Sequence, residues 1–127
     1  MHRSAIGAVC IDLPEGRYDR ASTFWKDALG TAARQGVQHP EYEVLEAGIG
    51  GVTGLLQCVG DERPRVHLDI HTDDVAAEVA RLIRLGATEA ARHDDWVVLE
   101  DPAGLTFCVV PVAPDDPLLD AAPRYGD

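Results

Sequence analysis

The segment Val66-His67-Leu68-Asp69-Ile70-His71 puts three groups that titrate or hold a ligand at alternate positions. Alternate side chains of an extended strand share a face, so His67, Asp69 and His71 would form one small polar cluster there. A histidine beside a carboxylate can anchor a ligand by hydrogen bonding, exchange a proton near neutral pH, or bind a metal. Cys10, Cys58 and Cys108 each sit in an apolar run, and no C-x-x-C spacing occurs. They read as reduced, strand-borne thiols and not as a zinc knuckle or a disulfide framework. The glycine-rich stretch from Gly48 to Gly54 has Thr53 where a dinucleotide fingerprint needs its third glycine. It also leads into a strand-like run instead of opening a helix, so it reads as a hairpin connection. No Walker, G-x-S-x-G or H-E-x-x-H motif is present.

The elements that must position these residues repeat. Ala21, Phe24, Trp25, Ala28 and Leu29 recur at helical spacing, which predicts a helix from Asp19 to Gly30 with Phe24 and Trp25 packed on a sheet. Val75, Val79, Leu82 and Ile83 predict a second helix from Asp74 to Gly86, capped by Asp73 or Asp74 and stopped by Gly86. Strand-like runs precede the helices at Gly7–Leu13 and Val66–Thr72. Others follow at Tyr42–Glu46 and Val52–Val59, and at Trp96–Glu100 and Leu105–Val110. Val44-Leu45-Glu46 matches Val98-Leu99-Glu100, and Gly30 matches Gly86, so the chain reads as two copies of a β-α-β-β-β unit. Asp101-Pro102-Ala103-Gly104 reads as a tight turn. Residues 111–127, rich in Pro and Asp, read as a loose tail.

The 127 residues carry 22 acids against 11 Lys and Arg, a formal charge of −11, with 46% hydrophobic residues. That composition suits one globular domain and excludes an acidic disordered chain. The net negative charge argues against nucleic acid and anionic membrane as partners, since both require a basic face. Residues 1–59 hold 7 acids and 5 bases, and residues 60–127 hold 15 and 6, so most of the excess lies in the second half. No apolar run spans a bilayer and the apolar start is cut short by Asp12, so a cytoplasmic protein is expected.

The runs Val66-His67-Leu68-Asp69-Ile70, Asp73-Asp74-Val75, Leu85-Gly86-Ala87 and Leu99-Glu100-Asp101-Pro102-Ala103-Gly104-Leu105-Thr106-Phe107 resemble the second module of the vicinal oxygen chelate superfamily. Gly7-Ala8-Val9-Cys10-Ile11-Asp12-Leu13-Pro14 with Phe24-Trp25 and Leu29-Gly30 resembles the first. Glyoxalase I, bleomycin-resistance proteins and extradiol dioxygenases belong to that superfamily, and the likeness is strongest to small glyoxalase-like proteins of actinobacterial type. The resemblance covers about residues 5–112. It implies an α+β fold of two tandem βαβββ modules, about 5–59 and 64–112, forming a curled mixed sheet with a central cup, followed by the tail 113–127. Relatives of this size often form homodimers, so a homodimer is expected.

Metal-dependent members of the superfamily take ligands at four equivalent strand positions. The resemblance places these at Ala8, Gln57, His67 and Cys108. Ala8 has no donor atom, Gln57 offers a neutral oxygen where a carboxylate is usual, and Cys108 offers a soft thiolate where a hard ligand is usual. Only His67 matches. Two other sets are conceivable: His67, His71 and Cys108 around a soft metal, and Cys108 with His67 as nucleophile and base, for which no third group is evident to orient the ring. Trp96 would offer a flat apolar contact to a molecule in the cup.

The expected function is therefore binding of a small organic molecule, with His67, Asp69, Gln57, Cys108 and Trp96 as ligand-binding candidates and no cofactor. The alternative is an enzyme, with His67 as the catalytic candidate. It would be a lyase, isomerase or dioxygenase whose atypical ligand set holds Zn, Ni, Fe or Mn.

Overall fold

A computed structural model describes residues 1–60 and 63–126. The fold is α+β, with eleven principal elements: β1 (His2–Pro14), α1 (Tyr18–Leu29), β2 (Ala33–Gln35), β3 (Tyr42–Ile49), β4 (Val52–Val59), β5 (Arg65–Thr72), α2 (Val75–Arg84), β6 (Thr88–Arg92), β7 (Val97–Glu100), β8 (Thr106–Pro111) and β9 (Arg124–Tyr125). Both expected helices form, and every expected strand run has its counterpart. β2 and β6, which no apolar run marks, complete each set. The chain divides into two compact units, one formed by Ala8–His67 and the other by Met1–Gly7 with the chain from Leu68 onward.

In the Ala8–His67 unit the strand order is β2-β3-β4-β1. β1 runs parallel to β4 with Asp12 opposite Gln57 and Leu13 opposite Cys58. β3 is antiparallel to β4 with Glu43 opposite Leu56. Helix α1 covers one face. Leu13, Leu45 and Leu56 are buried there, with Tyr18, Ala21 and Trp25 of the helix segment packed against them. Each such leucine contributes about 1.5–3 kcal/mol by leaving water. Phe24 departs from expectation: it is 60% exposed and meets Trp25 edge-on, with centroids 5.3 Å apart. Tyr18, Ala21, Ser22 and Trp25 line the face that meets the sheet, and Phe24 lies outside it. Gly30 ends α1 at φ 63°, a left-handed conformation that glycine adopts without steric cost. The hairpin expected at the glycine-rich stretch joins β3 to β4, with Gly50 and Gly51 both at positive φ.

In the other unit the order is β5-β8-β7-β6. Val97, Leu99 and Val109 face α2, where Val79, Val75 and Leu82 pack on them with Phe107. Asp74 caps α2 by accepting from Ala77 N at 3.0 Å. Ile83, expected on the buried stripe, is 45% exposed, while Glu78 is wholly buried. The Asp101 turn forms as expected, with Asp101 Oδ1 accepting from Ala103 N and Leu105 N at 2.7 and 2.8 Å. The C-terminal segment is not loose. Asp116 caps a short 3-10 turn that buries Leu119, and β9 pairs antiparallel with the start of β1, His2 opposite Tyr125. Backbone pairing and one buried leucine tie down a segment whose prolines suggested none. Among the described residues no helix is long and apolar enough to cross a membrane.

Candidate functional site

Strand alternation sorts the Ala8–His67 unit into two faces. Leu13 and Leu56 turn toward α1, so Asp12, Cys10 and Ala8 of β1 and Gln57 of β4 turn to the opposite, helix-free face. His67, near the start of β5, meets Asp12 there: its Nδ1 lies 2.6 Å from Asp12 Oδ2. A carboxylate only accepts, so Nδ1 is the donor and Nε2 is the basic nitrogen of the neutral ring. The two side chains are 11% and 4% exposed, which makes this a sheltered, charge-assisted bond. Arg65 Nε stands 3.8 Å from the same Oδ2, a longer contact that adds positive charge near the pair. Asp12 Oδ1 is buried and accepts no hydrogen bond among the described residues. Cys10 is almost completely buried on the same strand face, its sulfur within 4.8 Å of a His67 ring nitrogen.

Asp12 is the residue that sequence reasoning missed. It supplies the orienting group for which the sequence showed no candidate. The available signal was its spacing of two from Cys10, which puts an acid on the same face of an apolar strand. Gln57 lies opposite Asp12 on the same face, as a neutral donor and acceptor.

The remaining candidates lie in the other unit. Asp69 pairs in register with Cys108, and His71 with Val110, so Asp69, His71 and Cys108 share a strand face. His71 is half-buried. Burial holds its ring below the usual histidine range, partly offset by Asp69 and Asp116. The ring lies directly over Gly7, at a place any β-carbon on Gly7 would occupy. Cys108 is a half-buried free thiol. Trp96 precedes β7 and stacks on His93, with centroids 4.3 Å apart and planes 17° apart. Because Val97 and Leu99 turn toward α2, Trp96, Val98 and Glu100 take the other face.

A second buried carboxylate also went unread. Glu78 of α2 accepts from His2 Nε2 at 2.8 Å, from Ser4 Oγ at 2.7 Å, and from Arg81 through Nε and Nη2 at 2.8 and 2.9 Å. Burial pushes its acidity the unfavourable way, but the donors from Arg81, His2 and Ser4 outweigh that and hold it near 2. The Arg81 guanidinium in turn lies 3.6 Å over the Tyr125 ring. From sequence, a Glu three residues before an Arg on a helix looks like a solvated surface pair.

The chain belongs to the glyoxalase-like domain family, whose model matches residues 8–110, and thereby to the vicinal oxygen chelate superfamily. Solved structures share the fold. A methylmalonyl-CoA epimerase from Mycobacterium tuberculosis is 17% identical over 86% of this chain and 88% of that one, with a TM-score of 0.60. A hypothetical protein from Bacillus halodurans is 12% identical over 89% and 97%, at 0.61. A 4-hydroxymandelate synthase variant from Streptomyces coelicolor is 16% identical over 86% of this chain and 49% of that one, at 0.54. No curated protein matches the sequence.

At the four positions named by the resemblance, the superfamily's divalent metal finds a poor donor set. Ala8 is a buried methyl group, and the nearest acid on its strand face, Asp12, already accepts from His67. A site for a hard cation needs several oxygen or imidazole donors converging with positions left open. The four positions named by the resemblance do not provide them.

Proposed function

We propose that this glyoxalase-like protein binds a small organic molecule on the helix-free face of the Ala8–His67 unit, without the superfamily's usual metal, and that His67 held by Asp12 is its polar anchor. The carrying observation is the 2.6 Å bond between His67 Nδ1 and Asp12 Oδ2 in a largely buried setting. It fixes the ring and its tautomer, as a recognition site needs. The buried Asp12 Oδ1 adds a chemical preference. A ligand carrying an N–H or O–H group would satisfy that oxygen, and Gln57 beside it can donate or accept. The expected assembly is a homodimer.

The same bond favours one second reading, acid–base catalysis at His67. An imidazole whose Nδ1 is bonded to a carboxylate carries its basic lone pair on Nε2, the nitrogen that would take a proton from a carbon beside a carbonyl. The solved epimerase shares only the fold with this chain and does not fix a substrate.

Two measurements test these readings. Elemental analysis of protein made without a metal-affinity tag should find well under one equivalent of transition metal. One equivalent, lost in His67→Ala, would overturn the metal-free reading. A thermal-shift screen of metabolites and antibiotics should yield a ligand whose stabilisation falls in both His67→Ala and Asp12→Asn. Solvent deuterium entering such a ligand with wild-type protein and not with His67→Ala would decide for catalysis.

A further inference from the structure

The pattern His-x-x-aromatic-x-Val-Leu-Glu occurs twice in the chain, from His39 to Glu46 and from His93 to Glu100. In both copies the histidine ring stacks on the aromatic one, Tyr42 or Trp96, with planes 21° apart in the first and 17° in the second. In the Ala8–His67 unit the pair shares a strand face with the anchor. Tyr42 lies opposite Gln57 across β3 and β4, and Gln57 lies opposite Asp12 across β4 and β1, so all three turn to the helix-free face. Neighbouring strands are about 4.8 Å apart, which sets the backbones of Tyr42 and Asp12 about 10 Å apart.

We propose that Tyr42 is the ring-binding wall of this face and makes it selective for planar aromatic molecules. The donor group that Asp12 Oδ1 calls for then sits on the far edge of the ligand's ring system, so the inference rests on the anchor reading above. Tyr42 is held in place by its neighbours. Gly36 N donates to Tyr42 O at 3.0 Å. A β-carbon on Gly36 would fall 2.6 Å from the Tyr42 ring, so the ring leans over Gly36 and away from Gln57. His39 stacks on one side of the ring, and no second aromatic ring meets it among the described residues. The row beside Tyr42, Gln57 and Asp12 is Val44 opposite Leu55, with Leu55 opposite Cys10. Val44 and Leu55 are partly buried and give an apolar floor that α1, on the other face, does not cover. At the far end Asp12 is 3% exposed, and its buried Oδ1 lacks a hydrogen-bond partner. A flat two-ring molecule spans that distance. It would lie over the floor, meet Tyr42 by offset stacking or edge-on, and present its donor to Asp12.

Three probes of one size separate the parts. 2-Naphthol has the flat ring and the donor, 2-methoxynaphthalene only the ring, and decahydro-2-naphthol only the donor. Equilibrium dialysis against the intact protein at pH 7 should show 2-naphthol held about fivefold more tightly than decahydro-2-naphthol. Tyr42→Leu should abolish that difference and Tyr42→Phe should keep it. In wild-type protein, nuclear Overhauser contacts should join the naphthol protons to the Tyr42 ring. No saturable binding of 2-naphthol, equal affinities, a preference that survives Tyr42→Leu, or the absence of those contacts would overturn the proposal. Asp12→Asn should weaken 2-naphthol and leave 2-methoxynaphthalene unchanged. If that effect is missing while the Tyr42-dependent preference holds, the anchor reading falls and the ring site stands; the reverse pattern overturns the ring site alone.

Discussion

His67 Nδ1 and Asp12 Oδ2 stand 2.6 Å apart although 55 positions separate the residues in the chain. The bond brings the start of β5 to a strand laid down before the first helix, and it decides which ring nitrogen carries the proton. In the neutral state the ring should therefore be the Nδ1–H tautomer. Nitrogen-resolved NMR of the histidine rings checks this, and an Nε2–H tautomer at His67 would remove Asp12 from its orienting role. Asp12→Asn should lower stability by about 1–3 kcal/mol, since it exchanges a charge-assisted bond for a weaker one in a buried place.

The Glu78 network makes the stability of the fold depend on acid. The folded carboxyl sits near 2 against an ordinary 4.5, so the folded state binds fewer protons than the unfolded chain between those values. The contribution is complete above about pH 5 and is lost as pH falls toward 2. It amounts to roughly 3 kcal/mol, with no solvent discount because the side chain is fully buried. Denaturant titrations from pH 7 to pH 2.5 should show this decline in wild-type protein and a flatter profile in Glu78→Gln. Parallel profiles would mean that other carboxylates govern acid unfolding.

Gly7 and His71 share one space. Gly7→Ala should cost about 1–3 kcal/mol by forcing the ring aside. His71→Ala should remove most of that cost in the double variant, because the added methyl then has room. Additive losses in a double-mutant cycle would contradict the shared space.

These relationships mark where sequence reading stopped. Periodicity was enough for both helices and for the strands that carry Asp12, Gln57, His67 and Cys108, because burial on one face leaves a repeating apolar signature. It failed where a polar residue is buried by partners far along the chain. Glu78 sits one turn from Arg81 and looks solvated until His2 and Ser4 close over it. Asp12 looks like the end of an apolar run until β5 arrives beside it. Phe24 failed in the opposite sense, since its position on the apolar stripe does not say how wide a stripe the sheet covers. β2 and β6 are short edge strands whose pairing is set by their neighbours and not by their own composition.

Leu119 is fully buried and anchors the C-terminal segment. Leu119→Ala should destabilise the protein by about 2–5 kcal/mol, measured by chemical denaturation. A change under 0.5 kcal/mol would show that this segment contributes little and that β9 alone holds it.

The division of the chain has a consequence for its synthesis. Residues 8–67 form a continuous stretch and can collapse as soon as they leave the ribosome, whereas Met1–Gly7 belong with residues from Leu68 onward. His2 must wait for Glu78, 76 positions later, which at about 5–20 residues per second is a delay of several seconds. During that interval His2 and Ser4 lack the carboxylate that they bond in the finished fold. Slowing translation beyond residue 67 should lengthen that interval, to the advantage of chaperones and aggregation alike.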